Sequence, residues 1–297
     1  MRAVISVSDP SPGGTSLERR HVLDVAKCLA GLAGHHQLVV TYDGDPYIRL
    51  LTDLQWRVGR RPASDLPRLD VIAADQQAEA GYLLARELHN ELGGQVAAIL
   101  TQVRVDPLDE AFRRPGTEIG PVCDEAAAQE LAASGWLMER SEGGWRRSVA
   151  TPTPLAVVEA GTIELLLDAG VVVVCAAGGI PVVADFDGSL RAVPALSSQE
   201  AAAAVLAEQI HADRLVFLTV DPDFPEIAQR SLRTVERSDV LADLGDYGPP
   251  AARRAACDFV ERTGRQASIG PLWDGRSVLD GDAGLLVVPD GGRPVTG

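Results

Sequence analysis

Residues 171–183 read VVVVCAAGGIPVV, a run of valines followed by small residues and two glycines. A short run that is apolar at every position predicts a strand buried on both faces, here over residues 171–175. The alanine- and leucine-rich segments at 157–169 and 199–210 have the spacing of helices and flank this strand. We therefore predict a helix–strand–helix unit of an α/β protein.

The same alternation extends over most of the chain. Further apolar runs predict strands at 3–7, 37–41, 96–103, 215–219, 266–269 and 284–288, and periodic segments predict helices at 17–32, 75–92 and 251–263. Continuously apolar strands joined by helices favour a mostly parallel sheet that is covered on both faces. Ligands of such sheets bind beyond the carboxyl ends of the strands. We therefore expect the functional site in the segments that follow Val7, Thr41, Cys175 and Thr219.

The charge of the chain argues against a nucleic-acid partner. Its 297 residues include 27 basic and 42 acidic side chains, which gives a formal net charge of −15. An acidic surface of this kind repels a phosphate backbone. Lys27 is the only lysine, and every other basic residue is an arginine. This bias matters because many phosphoryl-transfer sites use a lysine at a particular position.

The cysteines and the N-terminus indicate the compartment. Cys28, Cys123, Cys175 and Cys257 are far apart and form no Cys-x-x-Cys pair, so neither a zinc site nor a redox pair is predicted. The first ten residues, MRAVISVSDP, lack the apolar stretch of a signal peptide, and no apolar run is long enough to span a bilayer. We expect buried, reduced cysteines in a cytoplasmic protein with no membrane partner.

Six strings, taken in order, resemble the carbamate kinases of the amino-acid-kinase superfamily. They are GYLL at 81–84, LTQVRVDP at 100–107, IGP at 119–121, GWRR at 144–147, GGIPVV at 178–183 and LAEQ at 206–209. Their order and separations match that family over almost the entire chain. The resemblance implies a three-layer αβα sandwich with a mostly parallel central sheet and a small protruding subdomain.

The resemblance also implies how the chain is divided and what it does. An N-terminal lobe over 1–212 takes the phosphoryl acceptor, and a C-terminal lobe over 213–297 takes the nucleotide. The segment at about 113–154, rich in glycine, proline and charge, forms the protruding subdomain. The family is homodimeric and transfers phosphate reversibly between carbamoyl phosphate and ADP, which gives ATP and carbamate. A small-molecule ligand and Mg-ATP or Mg-ADP are therefore the expected partners.

The substrate side of the implied site departs from the family pattern. The matching positions are Ser8, Asp9, Asp43, Gly44, Asp45, Gly178 and Gly179. Where the family has Gly-Gly-Asn this chain has Val-Ser-Asp, two further glycines have become the carboxylates Asp43 and Asp45, and a four-glycine run keeps only its last two. Glycines allow backbone amides to approach an anion, so these changes weaken the expected phosphate cradle.

Three lysines of the family pattern are missing as well. Their positions fall on Thr117, Gln199 and Pro250. Toward the nucleotide, Thr219, Asp221 and Asp223 belong to a loop that lacks the family's Asn-aromatic-Gly stretch. Removing one charged donor from such a site typically lowers the rate by about 10²–10³-fold. Like charges about 4 Å apart add roughly 4 kcal/mol of repulsion at an effective dielectric constant near 20.

Arginine side chains or a metal ion could supply the missing positive charge. Arg49 and Arg104 lie in or near the matching acceptor-lobe segments, and a guanidinium can clamp a phosphate with two hydrogen bonds. We favour the interpretation that both are solvated surface residues, which would not contribute to phosphate binding. Asp9, Asp43 and Asp45 could instead hold a Mg²⁺ ion that bridges phosphates, although aspartates in such loops more often form turns or helix caps.

The sequence therefore leaves several functions open. The missing lysines and glycines favour a pseudoenzyme, a carbamate-kinase-like protein that binds a small molecule between its lobes and has lost or strongly altered phosphoryl transfer. The alternative is an active, diverged kinase that transfers phosphate between ATP and carbamate or a similar small acid. A third hypothesis is an inert chain that pairs with a more complete homologue.

Overall fold

The helices and strands that the hydrophobic pattern predicts occur in the predicted order, and two short helices and several strands that it does not predict lie among them. A computed structural model describes residues 1–8, 19–34, 36–42, 68–176, 178–220, 233–237 and 249–291. Within these residues the helices are α1 (Arg19–Ala33), α2 (Leu69–Leu92), α3 (Glu125–Ala133), α4 (Ala160–Asp168), α5 (Gln199–Gln209), α6 (Pro250–Thr263) and α7 (Gly275–Asp280). The strands are β1 (Arg2–Ser8), β2 (Gln37–Tyr42), β3 (Val96–Ala98), β4 (Gln102–Val105), β5 (Thr117–Cys123), β6 (Met138–Ser141), β7 (Gly144–Val149), β8 (Pro154–Val157), β9 (Val172–Ala176), β10 (Ile180–Ala184), β11 (Leu190–Ala192), β12 (Arg214–Thr219), β13 (Arg233–Glu236), β14 (Gln266–Pro271) and β15 (Leu285–Val288).

The central sheet has eight strands in the order β13-β15-β14-β12-β1-β2-β9-β3. All neighbouring pairs are parallel except β14 and β15, which are antiparallel. The expectation of a mostly parallel central sheet is confirmed. Because parallel neighbours end at the same edge, the carboxyl ends of β1, β2, β9, β12 and β14 lie together.

Helices cover both faces of this sheet. Along β1, Val4 packs into a core with Ile163 of α4 and Phe259 of α6, whereas its neighbour Ile5 packs into a second core with Leu29 of α1. Successive side chains of a strand point to opposite faces, so a strand that is covered on both sides must be apolar throughout. The result is the three-layer αβα arrangement.

Two smaller sheets lie outside the central one. The first has the strand order β11-β10-β4-β8, and the second has the order β5-β7-β6. The second falls inside the segment predicted as a protruding subdomain and has a small core of its own around Cys123, Ala128 and Leu131. Arg147 stacks over Trp136, its Cζ atom 4.0 Å from the ring centroid, and burial lowers the pKa of this guanidinium to about 10.

The boundary predicted between residues 212 and 213 stays a prediction. The central sheet continues across this boundary. β1 precedes the boundary and β12 follows it, and the two strands pair in parallel from Ala3 opposite Arg214 to Ser8 opposite Thr219. Both cores also contain residues from each side of the boundary.

The single strand expected at 96–103 is wrong, because the chain forms two strands there. β3 ends the central sheet at Ala98, and β4 begins the four-stranded sheet at Gln102. Between them, the backbone N–H of Thr101 donates to Oε1 of Gln77 at 2.8 Å, and Nε2 of Gln77 donates to the Thr101 carbonyl at 3.1 Å. The side chain of Gln77 thus satisfies the Thr101 N–H, while the Thr101 carbonyl also accepts from the Ile180 N–H of β10 at 2.9 Å. Helix α2 also begins at Leu69, earlier than the predicted residue 75.

All four cysteines are free thiols. Cys175 is buried in β9, and this burial raises the pKa of its thiol to about 12. In the part of the chain that the structure describes, none of the helices has both the length and the apolar character needed to cross a membrane.

Candidate functional site

The carboxyl edge of the central sheet brings the expected strand ends together. Ser8 at the end of β1 lies opposite Thr219 at the end of β12. On the other side, Val7 of β1 lies opposite Tyr42 of β2, which in turn lies opposite Ala176 of β9. The strand pattern alone predicted that these ends lie in one region, and the register of the strands shows them side by side.

A narrow cleft with a free volume of about 10 Å³ lies at this edge between the beginnings of two helices. Glu200, the second residue of α5, lines one part of the cleft, and Pro249 and Ala252 at the start of α6 line another. The lining residues are Ser6, Ser8, Glu200, Phe217, Leu218, Thr219, Pro249, Ala252 and Ile269. Backbone N–H groups at a helix N-terminus carry a partial positive charge, so two such ends at one cleft favour an anionic ligand.

Gln199, the first residue of α5, joins the ends of β1 and β2. Its Nε2 atom lies 3.0 Å from Ser6 Oγ, 3.1 Å from the Val7 carbonyl oxygen, and 3.3 Å from both the carbonyl oxygen and Oγ1 of Thr41. The side chain is buried, and its Oε1 atom has no hydrogen-bond partner among the described residues. All four groups around Nε2 can accept a hydrogen bond. The pocket around Nε2 is therefore an acceptor pocket that also suits an ammonium group.

Gly178 and Gly179 are buried and pack against neighbouring backbone or side chains. A Cβ atom on Gly178 would lie 2.4 Å from the carbonyl oxygen of Ser197 and 2.9 Å from the backbone nitrogen of Gln199. Gly179 has a φ of +82°, and its Cβ would lie 2.7 Å from Val103 Cγ1. Gly178 therefore holds the β9–β10 connection against the start of α5, and Gly179 holds it against Val103 of β4, whatever ligand the site binds.

We expect Gly178→Ala to destabilise the protein by about 3 kcal/mol, because neither backbone atom that meets the new methyl group can move freely. Gly161, in helix α4, offers a matched control since nothing lies within 4 Å of its Cβ position. Gly161→Ala should stabilise the protein by about 0.5–1 kcal/mol through helix propensity. Urea denaturation followed by circular dichroism measures both changes. Equal midpoints for the two variants would contradict the close approach at Gly178.

The two helix N-termini differ in charge. At α5, the Ser198 side chain accepts from the Ala201 N–H at 3.3 Å and donates to Glu200 at 2.8 Å, so this end is capped and carries a carboxylate. At α6, the N-cap residue is Pro249, which makes no side-chain cap, and the first turn has no acidic residue. An anion is therefore stabilised more by α6 than by α5.

Arg253, in the first turn of α6, is a residue that the sequence analysis missed. Its exposed fraction is 2%, and its Nε and Nη1 atoms are shielded from solvent without a hydrogen-bond partner in the part of the chain that the structure describes. The helical spacing carried a signal, since Arg253 shares a face with Ala256, Cys257 and Val260, all of them buried. An arginine in such an apolar stripe is unusual and calls for a partner.

The remaining predicted residues are distributed as follows. Pro250 is exposed at the start of α6, beside the cleft residue Pro249. Thr117 lies on β5 of the three-stranded sheet, where its Oγ1 is 2.6 Å from Thr151 Oγ1, and Arg104 is exposed on β4 of the four-stranded sheet. The structure joins neither of these two to the cleft. Other predictions lie outside the described residues, namely those for Asp9, Asp43, Gly44, Asp45, Arg49, Asp221 and Asp223.

The described residues also limit where a metal ion could bind. Among them, no group of three or more His, Cys, Asp or Glu side chains is arranged to hold one. Glu200 is the carboxylate that they contribute to the cleft. One carboxylate is compatible with a Mg²⁺ ion that takes its other ligands from phosphate oxygens and water.

Comparison with known proteins agrees with this architecture. A model of the amino acid kinase family matches residues 11–269. The carbamate kinase of Rhizobium meliloti is 34% identical over 308 residues, covering 97% of this chain and 93% of the relative, and that of Halobacterium salinarum is 38% identical over 271 residues, covering 86% and 85%. The structure of carbamate kinase from Giardia lamblia bound to AMP-PNP matches with a TM-score of 0.85 at 25% identity, covering 97% of this chain and 98% of the other. The chain therefore belongs to the carbamate kinase family of the amino acid kinase superfamily.

Proposed function

We propose that the protein transfers a phosphoryl group between a nucleotide and carbamate or a similarly small acid. In the ATP-forming direction, a terminal oxygen of ADP attacks the phosphorus of carbamoyl phosphate, and the bond to the carbamate oxygen breaks. The observation that carries the proposal is the convergence of two helix N-termini and the ends of β1 and β12 on one cleft. Relatives similar over most of their length support the same reaction.

The chemistry of this reaction suits such a cleft. Phosphoryl transfer needs alignment of the reactants and neutralisation of charge on the phosphate oxygens more than it needs a protein nucleophile. Backbone N–H groups at the start of α6 supply part of that positive potential without any lysine. The Giardia relative binds AMP-PNP, a nucleotide analogue, which supports a nucleotide as the second substrate here. Glu200 would hold a Mg²⁺ ion delivered with that nucleotide.

The purified protein should form ATP from ADP and carbamoyl phosphate. We expect a rate that saturates with both substrates, requires Mg²⁺ and disappears with excess EDTA, because the ion neutralises the phosphates that no lysine contacts. A luciferase assay measures the ATP, with heat-unfolded protein as the control. ATP formation no faster than in this control would contradict the proposal.

That negative result would support the second candidate function, a protein that binds a small molecule without transferring phosphate. One observation favours it: Nε2 of Gln199 is already surrounded by protein acceptors, so this side chain has no free donor for a phosphate. Purification from the native source would then distinguish a protein that acts alone from one that pairs with a more complete homologue.

We also propose that two copies of the chain form a homodimer through the open edge of the central sheet. β3 is the outer strand there, and an apolar groove beside it is lined by α2 and by residues that include Tyr82 and Leu100, which are 60% and 49% exposed. Exposed edge strands and apolar patches are typical of interaction surfaces.

The free cysteines support a reducing compartment such as the cytoplasm.

Leu100→Glu should convert this dimer to a monomer, because a carboxylate in an apolar interface loses its hydration without gaining a partner. Leu108, which is 75% exposed and does not line the groove, provides the control. We expect Leu108→Glu to leave the mass measured by light scattering unchanged. A wild-type protein that is monomeric at micromolar concentration would contradict this interface.

A further inference from the structure

The connection from β11 to α5, residues 193–198, is anchored on one side to the three-stranded sheet. Leu196 packs against a small cluster of three buried side chains, Leu69 at the start of α2, Ile119 of β5 and Val149 of β7. The backbone N–H of Leu196 also donates to the carbonyl of Ala150, directly after β7, at 2.9 Å. Both contacts fix Leu196 against the base of that sheet.

The other side of the connection meets the turn that follows β9. A Cβ atom on Gly178 would lie 2.4 Å from the carbonyl oxygen of Ser197, so the two backbones approach as closely as a glycine allows. The connection therefore cannot move toward β9 without a clash. Its position depends on the opposite side, where Leu196 packs into the cluster.

The chain reaches the candidate site within three residues of Leu196. Ser198 caps α5 by accepting a hydrogen bond from the Ala201 N–H at 3.3 Å. The next residue, Gln199, joins the ends of β1 and β2 through its Nε2 atom, and Glu200 lines the cleft. Leu196 does not line the cleft itself, so its effect on the site must pass through these residues.

We propose that Leu196 is a positioning residue for phosphoryl transfer, which holds the start of α5 against the ends of β1 and β2. The inference rests on the proposed function for the reaction, whereas the packing that carries it is independent of any ligand. Because interiors are closely packed, a shortened side chain lets the neighbouring groups shift. A misplacement of about 1 Å in groups that position the substrates can lower a rate about 10²-fold.

The test compares two leucines that differ in location but are both partly buried. Leu196→Ala removes the side chain from the cluster, and Leu166→Ala makes the same change in α4, where Leu166 packs on the main core. Leu166 lies near the amino end of β9, because its carbonyl accepts from the Val171 N–H at 2.9 Å. We expect kcat for ATP formation to fall about 10- to 100-fold in Leu196→Ala and less than about 2-fold in Leu166→Ala. Leu196→Met keeps the volume of the side chain and should stay within about 3-fold of the wild type.

Amide hydrogen exchange provides a second readout that needs no substrate. The N–H groups of Ala201 and Ala202 are bonded to the Oγ and the carbonyl of Ser198. In Leu196→Ala these amides should exchange about 10-fold faster than in the wild type, because a looser connection lets this turn open more often. In Leu166→Ala they should exchange at the wild-type rate. Mass spectrometry of peptic fragments that cover residues 195–203 measures both.

Ile119→Val decides the question if Leu196→Ala does not fold. It deletes one methylene from the cluster on the side of the three-stranded sheet, and it should lower kcat about 2- to 5-fold with faster exchange at Ala201. Unchanged kcat and unchanged exchange in the folded cluster variants would overturn the inference, as would equal losses of kcat in Leu196→Ala and Leu166→Ala. If the wild type forms no ATP but exchange accelerates only in the cluster variants, the positioning of α5 stands and the proposed function fails.

Discussion

Replacing Gln199 with leucine should lower the rate of ATP formation by about 10²-fold, the loss that a displacement of about 1 Å in the groups that position the substrates can cause. The Nε2 atom of Gln199 ties Val7 to Thr41 and so fixes the ends of β1 and β2 relative to the start of α5. Leucine fills the space but leaves these buried oxygens without a donor. Because Gln199 acts here by positioning the strand ends, the loss should appear in kcat as well as in KM.

Gln199→Lys is the informative companion variant. The four groups around Nε2 all accept hydrogen bonds, and an ammonium has three N–H groups to donate. The resemblance also places a lysine at this position. We therefore expect Gln199→Lys to fold normally and to form ATP at least as fast as the wild type. Steady-state kinetics of the three proteins decides the matter, and a lysine variant as slow as the leucine variant would show that the acceptor pocket does not control the reaction.

Gln77→Leu should destabilise the protein by about 2 kcal/mol. The exposed fractions of Gln77 and Thr101 are 2% and 4%, and the two residues exchange a pair of hydrogen bonds between side chain and backbone. Leucine would leave the buried Thr101 N–H without its acceptor, at a cost of about 1–3 kcal/mol, whereas the Thr101 carbonyl keeps the hydrogen bond from the Ile180 N–H at 2.9 Å. Urea denaturation measures the change.

Gln209 provides a matched control for this prediction. Its Oε1 accepts from the Val157 N–H at 2.7 Å and its Nε2 donates to the Val157 carbonyl at 3.4 Å, the same pattern of contacts. Gln209 is only partly buried, so water can replace the lost side chain. Gln209→Leu should therefore cost about 1 kcal/mol or less. Similar losses in the two variants would mean that burial does not set the effect.

The elements of the central sheet could be predicted from the sequence because their signal is local. The apolar run at 171–175 forms β9 over Val172–Ala176, and the run at 215–219 forms β12. The failure at 96–103 has a different cause. There the apolar pattern continues, but the chain forms two strands. Between them, the side chain of Gln77, which is distant in sequence, forms hydrogen bonds with the backbone of Thr101. A pattern within one segment contains no information about such a contact.

The site was predictable in place but less so in its residues. The strand pattern located the strand ends, and matching the family pattern found Gln199 and Gly178, which lie beside a helix or strand terminus. The family pattern did not single out Arg253, which lies three residues beyond Pro250 in α6 and does not line the cleft. Burial identified Arg253, and burial depends on packing between elements distant in sequence.

The continuous pairing of β1 with β12 has a consequence for dissecting the molecule. A cut between residues 212 and 213 would remove six residue partners from each of these strands and would leave both fragments with an open, apolar face. Neither fragment is expected to be a folding unit when expressed alone. A protein that is split at this point should be active only when the two fragments are produced together and reassemble.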